Sequence, residues 1–171
     1  MYIITYFWPD IRNEKGEWDL HAFEPSIKHA NFNKDRIGAA EITNILNSSK
    51  CGLALSKKEG AMLAVMEYLY SGLPVVSTKS IGGRDCFLNS ENSFIVKASP
   101  EAVFEGVNNL IKKDLDPNII RQNTLNIVEK GRVDFYNLCK KLSNTTNYPD
   151  YVSFKENVWG DPNGLDKTRI I

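Results

Sequence analysis

Glu59 and Glu67 stand eight residues apart in the run Ser56-Lys57-Lys58-Glu59-Gly60-Ala61-Met62-Leu63-Ala64-Val65-Met66-Glu67. From Ala61 to Thr78 the only charged side chain is Glu67, among Ala64, Val65, Met66, Tyr68, Leu69 and Tyr70, the all-round apolar pattern of a buried helix. A carboxylate buried there needs a partner. Eight helical residues span about 12 Å, so the two carboxylates can reach opposite ends of an extended ligand whose middle rests on the helix N-terminus. The first amides of that helix, near Ala61 to Leu63, are unpaired and carry the positive end of the dipole, which suits a phosphate or pyrophosphate. Gly60 allows close backbone approach, and Gly82-Gly83 can do the same from a second loop. Each carboxylate can accept two hydrogen bonds from a vicinal diol of sugar or ribose. A nucleotide-sugar has that layout.

The elements needed to hold these residues are legible around them. Residues 38–49 read as a helix with Ile42, Ile45 and Leu46 on one face, and Cys51 to Leu55 as a short buried strand. A helix from Ala61 to Ser71 ends at Gly72 with Pro74 just beyond, and Pro74 to Thr78 reads as a second buried strand. Strand, helix, strand implies a parallel βαβ unit, in which ligands bind beyond the carboxyl ends of the strands. Those ends open into residues 56–60 and 79–85.

Farther on, Ser93 to Lys97 reads as another strand, and Ser99-Pro100-Glu101 as a helix start with Ser at N-cap and Pro at N1. A long helix over 117–142 carries Ile120, Thr124, Ile127, Val128, Phe135, Leu138 and Leu142 at three- and four-residue spacing. Beyond Ser143 the composition turns to Asn, Thr, Pro, Asp and Gly with isolated aromatics, a tail expected to lie against this domain or another. The division expected is a Rossmann-like domain over residues 1–147, with 1–37 unassigned beyond a first strand in Tyr2 to Trp8, and a tail over 148–171.

At 171 residues the chain accommodates one domain with a core. The 21 Lys and Arg balance 21 Asp and Glu, which argues against a nucleic-acid partner. Three cysteines without C-x-x-C spacing, Cys51, Cys86 and Cys139, read as reduced thiols among apolar neighbours, in a cytoplasmic setting. Neither a signal peptide nor a spanning helix is supported. His21 and His29 match no metal pattern, no D-x-D cluster is present, and no metal or other cofactor is expected.

Taken together, Ser56-x-x-Glu59-Gly60, the Glu59/Glu67 pair, Gly72-Leu73-Pro74-Val75-Val76-Ser77-Thr78 and Gly82-Gly83 resemble the C-terminal, donor-binding domain of GT-B-type retaining glycosyltransferases, glycosyltransferase family 4 (group 1). The resemblance implies an α/β, Rossmann-like three-layer domain with a parallel sheet, one half of a GT-B fold. It implies that Glu59 faces the donor sugar, that Glu67 binds the ribose hydroxyls, and that amides over Gly60, Ala61 and Met62 hold the diphosphate of a UDP- or GDP-type sugar. Lys58, Gly82 and Gly83 join this donor-binding set. Arg12 and Lys15-Gly16 echo the family's first diphosphate-binding loop with tighter spacing. Where the family places a Glu shortly after the double glycine, this chain has Arg84-Asp85. An N-terminal acceptor-binding domain is the implied partner, without which the chain binds a donor and catalyses little.

Other readings stand beside this one. Glu59 also reads as a first-turn acid favoured by the helix dipole, Glu67 as a buried acid satisfied locally, Gly82-Gly83 as a plain turn, and Lys57, Lys58 and Arg84 as solvated cations. Among functions, a nucleotide-sugar epimerase or phosphorylase and a non-catalytic binding module are the alternatives. A glycosidase fits less well, since its carboxyl separation of roughly 5 to 9.5 Å is below that expected here.

Overall fold

The computed structural model describes residues 2–3, 31–32, 37–60, 62–143 and 145–160. The chain divides into two compact units, residues 1–45 and 46–171. In the first, β1 (Tyr2–Ile3) pairs in parallel with β2 (Asn31–Phe32). Helix α1 (Ala39–Ser48) runs across the division and buries Leu46. Arg12 and Lys15 lie outside the described residues.

The second unit is built on three parallel strands in the order β3 (Gly52–Ala54), β5 (Val75–Thr78), β7 (Ser93–Val96). All four residues of the central β5 are buried, as a parallel strand covered on both faces requires. Helix α2 (Leu63–Tyr70) connects β3 to β5 and buries Val65 and Leu69, one turn apart. These meet Ala54, Val75 and Ile120 in the main core, the last from α4 (Pro117–Ser143). On the other face lies α3 (Pro100–Lys113), where a Cβ on Gly106 would crowd the side chains of Val96 and Val76. Val75 and Val76 point to opposite faces of the pleat, so the unit is a three-layer α/β/α sandwich of the Rossmann-like type.

Local chemistry explains the boundaries. The Ser99 side chain accepts from the Ala102 amide with Pro100 in the first turn, as the sequence predicts for α3. Helix α2 ends in a Schellman motif: Leu73 N donates to Tyr68 O, Gly72 N donates to Leu69 O, and Gly72 takes φ 72°. Its start differs from expectation. The helix begins at Leu63 with Met62 as an N-cap that makes no side-chain bond, and Leu63 itself is 63% exposed.

Beyond Ser143, where composition alone reads as a tail, the chain folds back on α4 as α5 (Tyr151–Trp159), capped by the Asp150 carboxylate on Ser153 N. Phe154 is buried, with its ring centroid 5.3 Å from that of Tyr136, and the Tyr136 hydroxyl donates to Pro149 O. Tyr148, Tyr151, Phe135 and Trp159 complete the cluster. At its rim, Tyr151 and Lys155 both donate to the Glu129 carboxylate.

Candidate functional site

The chains leaving β3 and β5 do not diverge. They run side by side as a two-stranded parallel ribbon, β4 (Lys58–Glu59) against β6 (Ile81–Gly82), with Lys58 opposite Ile81 and Glu59 opposite Gly82. Ile81 N donates to Lys57 O at 3.0 Å and Gly83 N to Gly60 O at 3.0 Å. The two glycine-bearing loops are thus brought together. Gly82 takes φ 127°, and a Cβ on it would overlap the Glu59 carbonyl oxygen, so the pairing itself demands glycine there. Gly60 is different. No protein atom lies within 4 Å of where its Cβ would be.

Glu59 belongs to β4 and not to the first turn of α2, which corrects both the helical measure of its distance from Glu67 and the first-turn alternative. Between them only the five residues from Leu63 to Glu67 are helical, about 6 Å of axial rise over four steps. Glu59 is half-buried, Lys58 is exposed, and Ala61 lies outside the described residues. Glu67 sits mid-helix, half-buried where full burial was expected, because α2 fully buries only its Val65 and Leu69 stripe. Burial raises the neighbouring Tyr68 phenol above its ordinary range, and the Glu67 charge adds to that.

Arg84 departs furthest from expectation. Read as a solvated cation, it is instead fully buried. Its Nη1 donates to Ser56 O at 2.9 Å and to Ser56 Oγ at 3.2 Å, its Nη2 to Thr78 O, and its Nε to Asp85 Oδ1 at 3.1 Å. The second Asp85 oxygen accepts from Ser80 N at 3.3 Å. Thr78 Oγ1 adds a bond to Leu55 O between the same strand ends. Beside them Ser80 Oγ is buried with no hydrogen-bond partner. Ser56 and Asp85, present in the sequence motif and its departure but given no role there, are therefore the side chains that hold Arg84. The available signal was an Arg-Asp dipeptide directly after a double glycine, beyond a strand buried on both faces.

Cys86, on the 3₁₀ turn Arg84–Phe87, is exposed, and its thiol donates to Gly83 O, where apolar surroundings were expected. Cys51 and Cys139 are half-buried, and no disulfide joins the described cysteines. Among the described residues no cluster of His, Cys, Asp and Glu is grouped to hold a metal ion, and no helix is long and apolar enough to cross a membrane.

Comparison with curated proteins returns no match. The family model described as "Glycosyl transferases group 1" matches residues 27–126, which include both loops, α2 and all three strands of the central sheet. With more than half its length so matched, the chain belongs to the group 1 glycosyl transferases, a family of sugar-transferring domains.

Proposed function

We propose that this chain forms the donor-binding half of a GT-B-type retaining glycosyltransferase of family 4, which moves a sugar from a UDP- or GDP-type donor to an acceptor. The observation that carries this reading is the β4/β6 ribbon. It sets Glu59-Gly60 and Gly82-Gly83 together at the carboxyl ends of β3 and β5, the ligand-binding edge of a parallel sheet. In this reading the amides following Gly60, ahead of an uncapped α2, hold the diphosphate without a metal. The open Cβ position of Gly60 leaves room for it. Lys58 adds positive charge, Glu59 faces the sugar and Glu67 takes the ribose hydroxyls. Arg12 and Lys15 are assigned to the diphosphate only by their resemblance to the family's first loop.

Transfer with retention needs no protein base when the leaving phosphate itself accepts the acceptor's proton on the face it departs from, with cationic groups and helix amides stabilising its charge. An acceptor-binding domain is needed to close the cleft, and the setting is cytoplasmic. Calorimetric titration with UDP, GDP, ADP and their sugar conjugates tests the reading. One nucleotide is expected to saturate, and Glu67→Ala to weaken it by about 1 to 3 kcal/mol. Glu59→Ala is expected to weaken the sugar conjugate more than the bare nucleotide. Unchanged affinity in Glu67→Ala would remove the ribose assignment, and equal losses in Glu59→Ala would remove the sugar assignment. Absence of binding by any nucleotide would favour a non-catalytic module.

A further inference from the structure

We infer that Arg84 is the positioning residue of this site: without touching a ligand, it fixes the ribbon that presents Glu59 and Gly60. The inference rests on the donor-site reading for what the ribbon presents, and on geometry alone for what holds it.

A guanidinium removed from water persists only where its N–H groups are satisfied. Arg84 is fully buried, and its acceptors come from three places: Ser56, two residues past β3; Thr78, the last residue of β5; and Asp85. A planar fork that donates at once to both strand exits sets the spacing at which those chains leave the sheet. Two residues after Ser56 and three after Thr78 the chains become β4 and β6. Asp85 extends the control, since one oxygen holds Arg84 while the other takes Ser80 N, directly before β6.

The ribbon cannot supply this order by itself. It pairs two residues with two, in parallel, and Lys58, Ile81 and Gly82 are exposed. Short parallel pairs with an exposed face are marginal. Its persistence therefore depends on the anchor beneath it. The zero exposure of Arg84 also excludes direct contact with a ligand in this arrangement, so any effect on binding passes through Glu59 and the neighbouring amides.

The test is Arg84→Lys, which keeps the charge but offers one nitrogen where two strand exits must be joined. Amide hydrogen exchange by NMR is expected to quicken roughly tenfold or more at Ile81 and Gly83, with the Val75 amide, bonded to Asn92 O in the central sheet, unchanged. Equal acceleration at all three amides, or none, would overturn the inference. If Arg84→Lys does not fold, Asp85→Asn, which leaves Arg84 in place, is expected to quicken Ile81 and Gly83 selectively, and no selectivity would again overturn it.

Titration adds the functional arm. Arg84→Lys is expected to lose preference for UDP- or GDP-sugar over the bare nucleotide, and the Arg84→Lys/Glu59→Ala double variant to be no weaker than Glu59→Ala. Additive losses would mean that Arg84 does not act through Glu59. If the unaltered protein binds no nucleotide, the donor reading fails, and the exchange result alone decides whether Arg84 holds the ribbon.

Discussion

At the carboxyl end of the sheet a cation is buried while aliphatic side chains stand exposed: Arg84 has no solvent exposure, while Leu63 and Ile81 are 63% and 65% exposed. Where α5 meets α4 the arrangement is reversed, with Phe154 and Tyr136 buried and the charged Glu129, Lys155 and Arg132 at the rim. The first region is ordered by directional bonds to chain carbonyls, the second by apolar area with polar closure at its edge. Area is tolerant of small displacements. A fork spanning two strand exits is not, which suits the end of the sheet where ligands bind.

The largest effect that would sharpen this contrast is expected from Gly82→Ala. Its φ of 127° lies in a region nearly closed to other residues, and the new methyl would strike the Glu59 carbonyl oxygen. A loss on the order of 3 kcal/mol is expected in urea unfolding, with the ribbon opened first. A stable variant with an intact ribbon would break the account of the site. Phe154→Ala should come next, at about 2 to 3 kcal/mol, limited by local release of α5 from α4. Exchange should then rise in α5 and leave β5 and β7 protected. Loss of protection in the sheet would show that the two regions are not independent.

The smallest effect is a pH dependence confined to the α5 rim. Burial pushes the Glu129 carboxyl up, but hydrogen bonds from Lys155 and Tyr151, with the charges of Lys155 and Arg132, outweigh it and leave Glu129 below its ordinary value of 4.5. A carboxyl depressed in the folded state contributes stability that is present above 4.5 and lost as pH falls through the lower folded value. Burial, and then the Glu129 bond, push the Tyr151 phenol from 10.0 up to about 12, so its contribution is whole below 10 and lost as pH rises through about 12. The NMR signals of Phe154 should therefore hold steady between these limits. A midpoint above pH 4.5 on the acid side would show that Glu129 does not control α5.

Much of the fold was legible because its signals are local. Val75 to Thr78 is bracketed by Pro74 and the double glycine, and Ser99-Pro100 announces α3 through a cap that needs only three residues. What escaped depends on distant partners. Arg84 is buried by carbonyls of residues up to 28 positions away, and the Arg-Asp dipeptide beside the double glycine does not say which strand ends supply them. Glu59 reads as a loop residue just ahead of the helix, whereas pairing with Gly82 draws it into a strand. The aromatics after Ser143 lie against this domain as expected, but the helix that carries them onto Tyr136 and Phe135 was not legible, because those partners lie on the far side of a turn.

The α5 clasp also fixes where this polypeptide can be cut. Ending the chain before Pro149 would strip the cover from Tyr136 and remove the carbonyl that its hydroxyl engages. Phe135, already 47% exposed, would join it in a continuous aromatic surface. A protein trimmed just before Pro149 should therefore self-associate, whereas one carried through Gly160, the left-handed residue that closes α5, keeps Tyr136 covered.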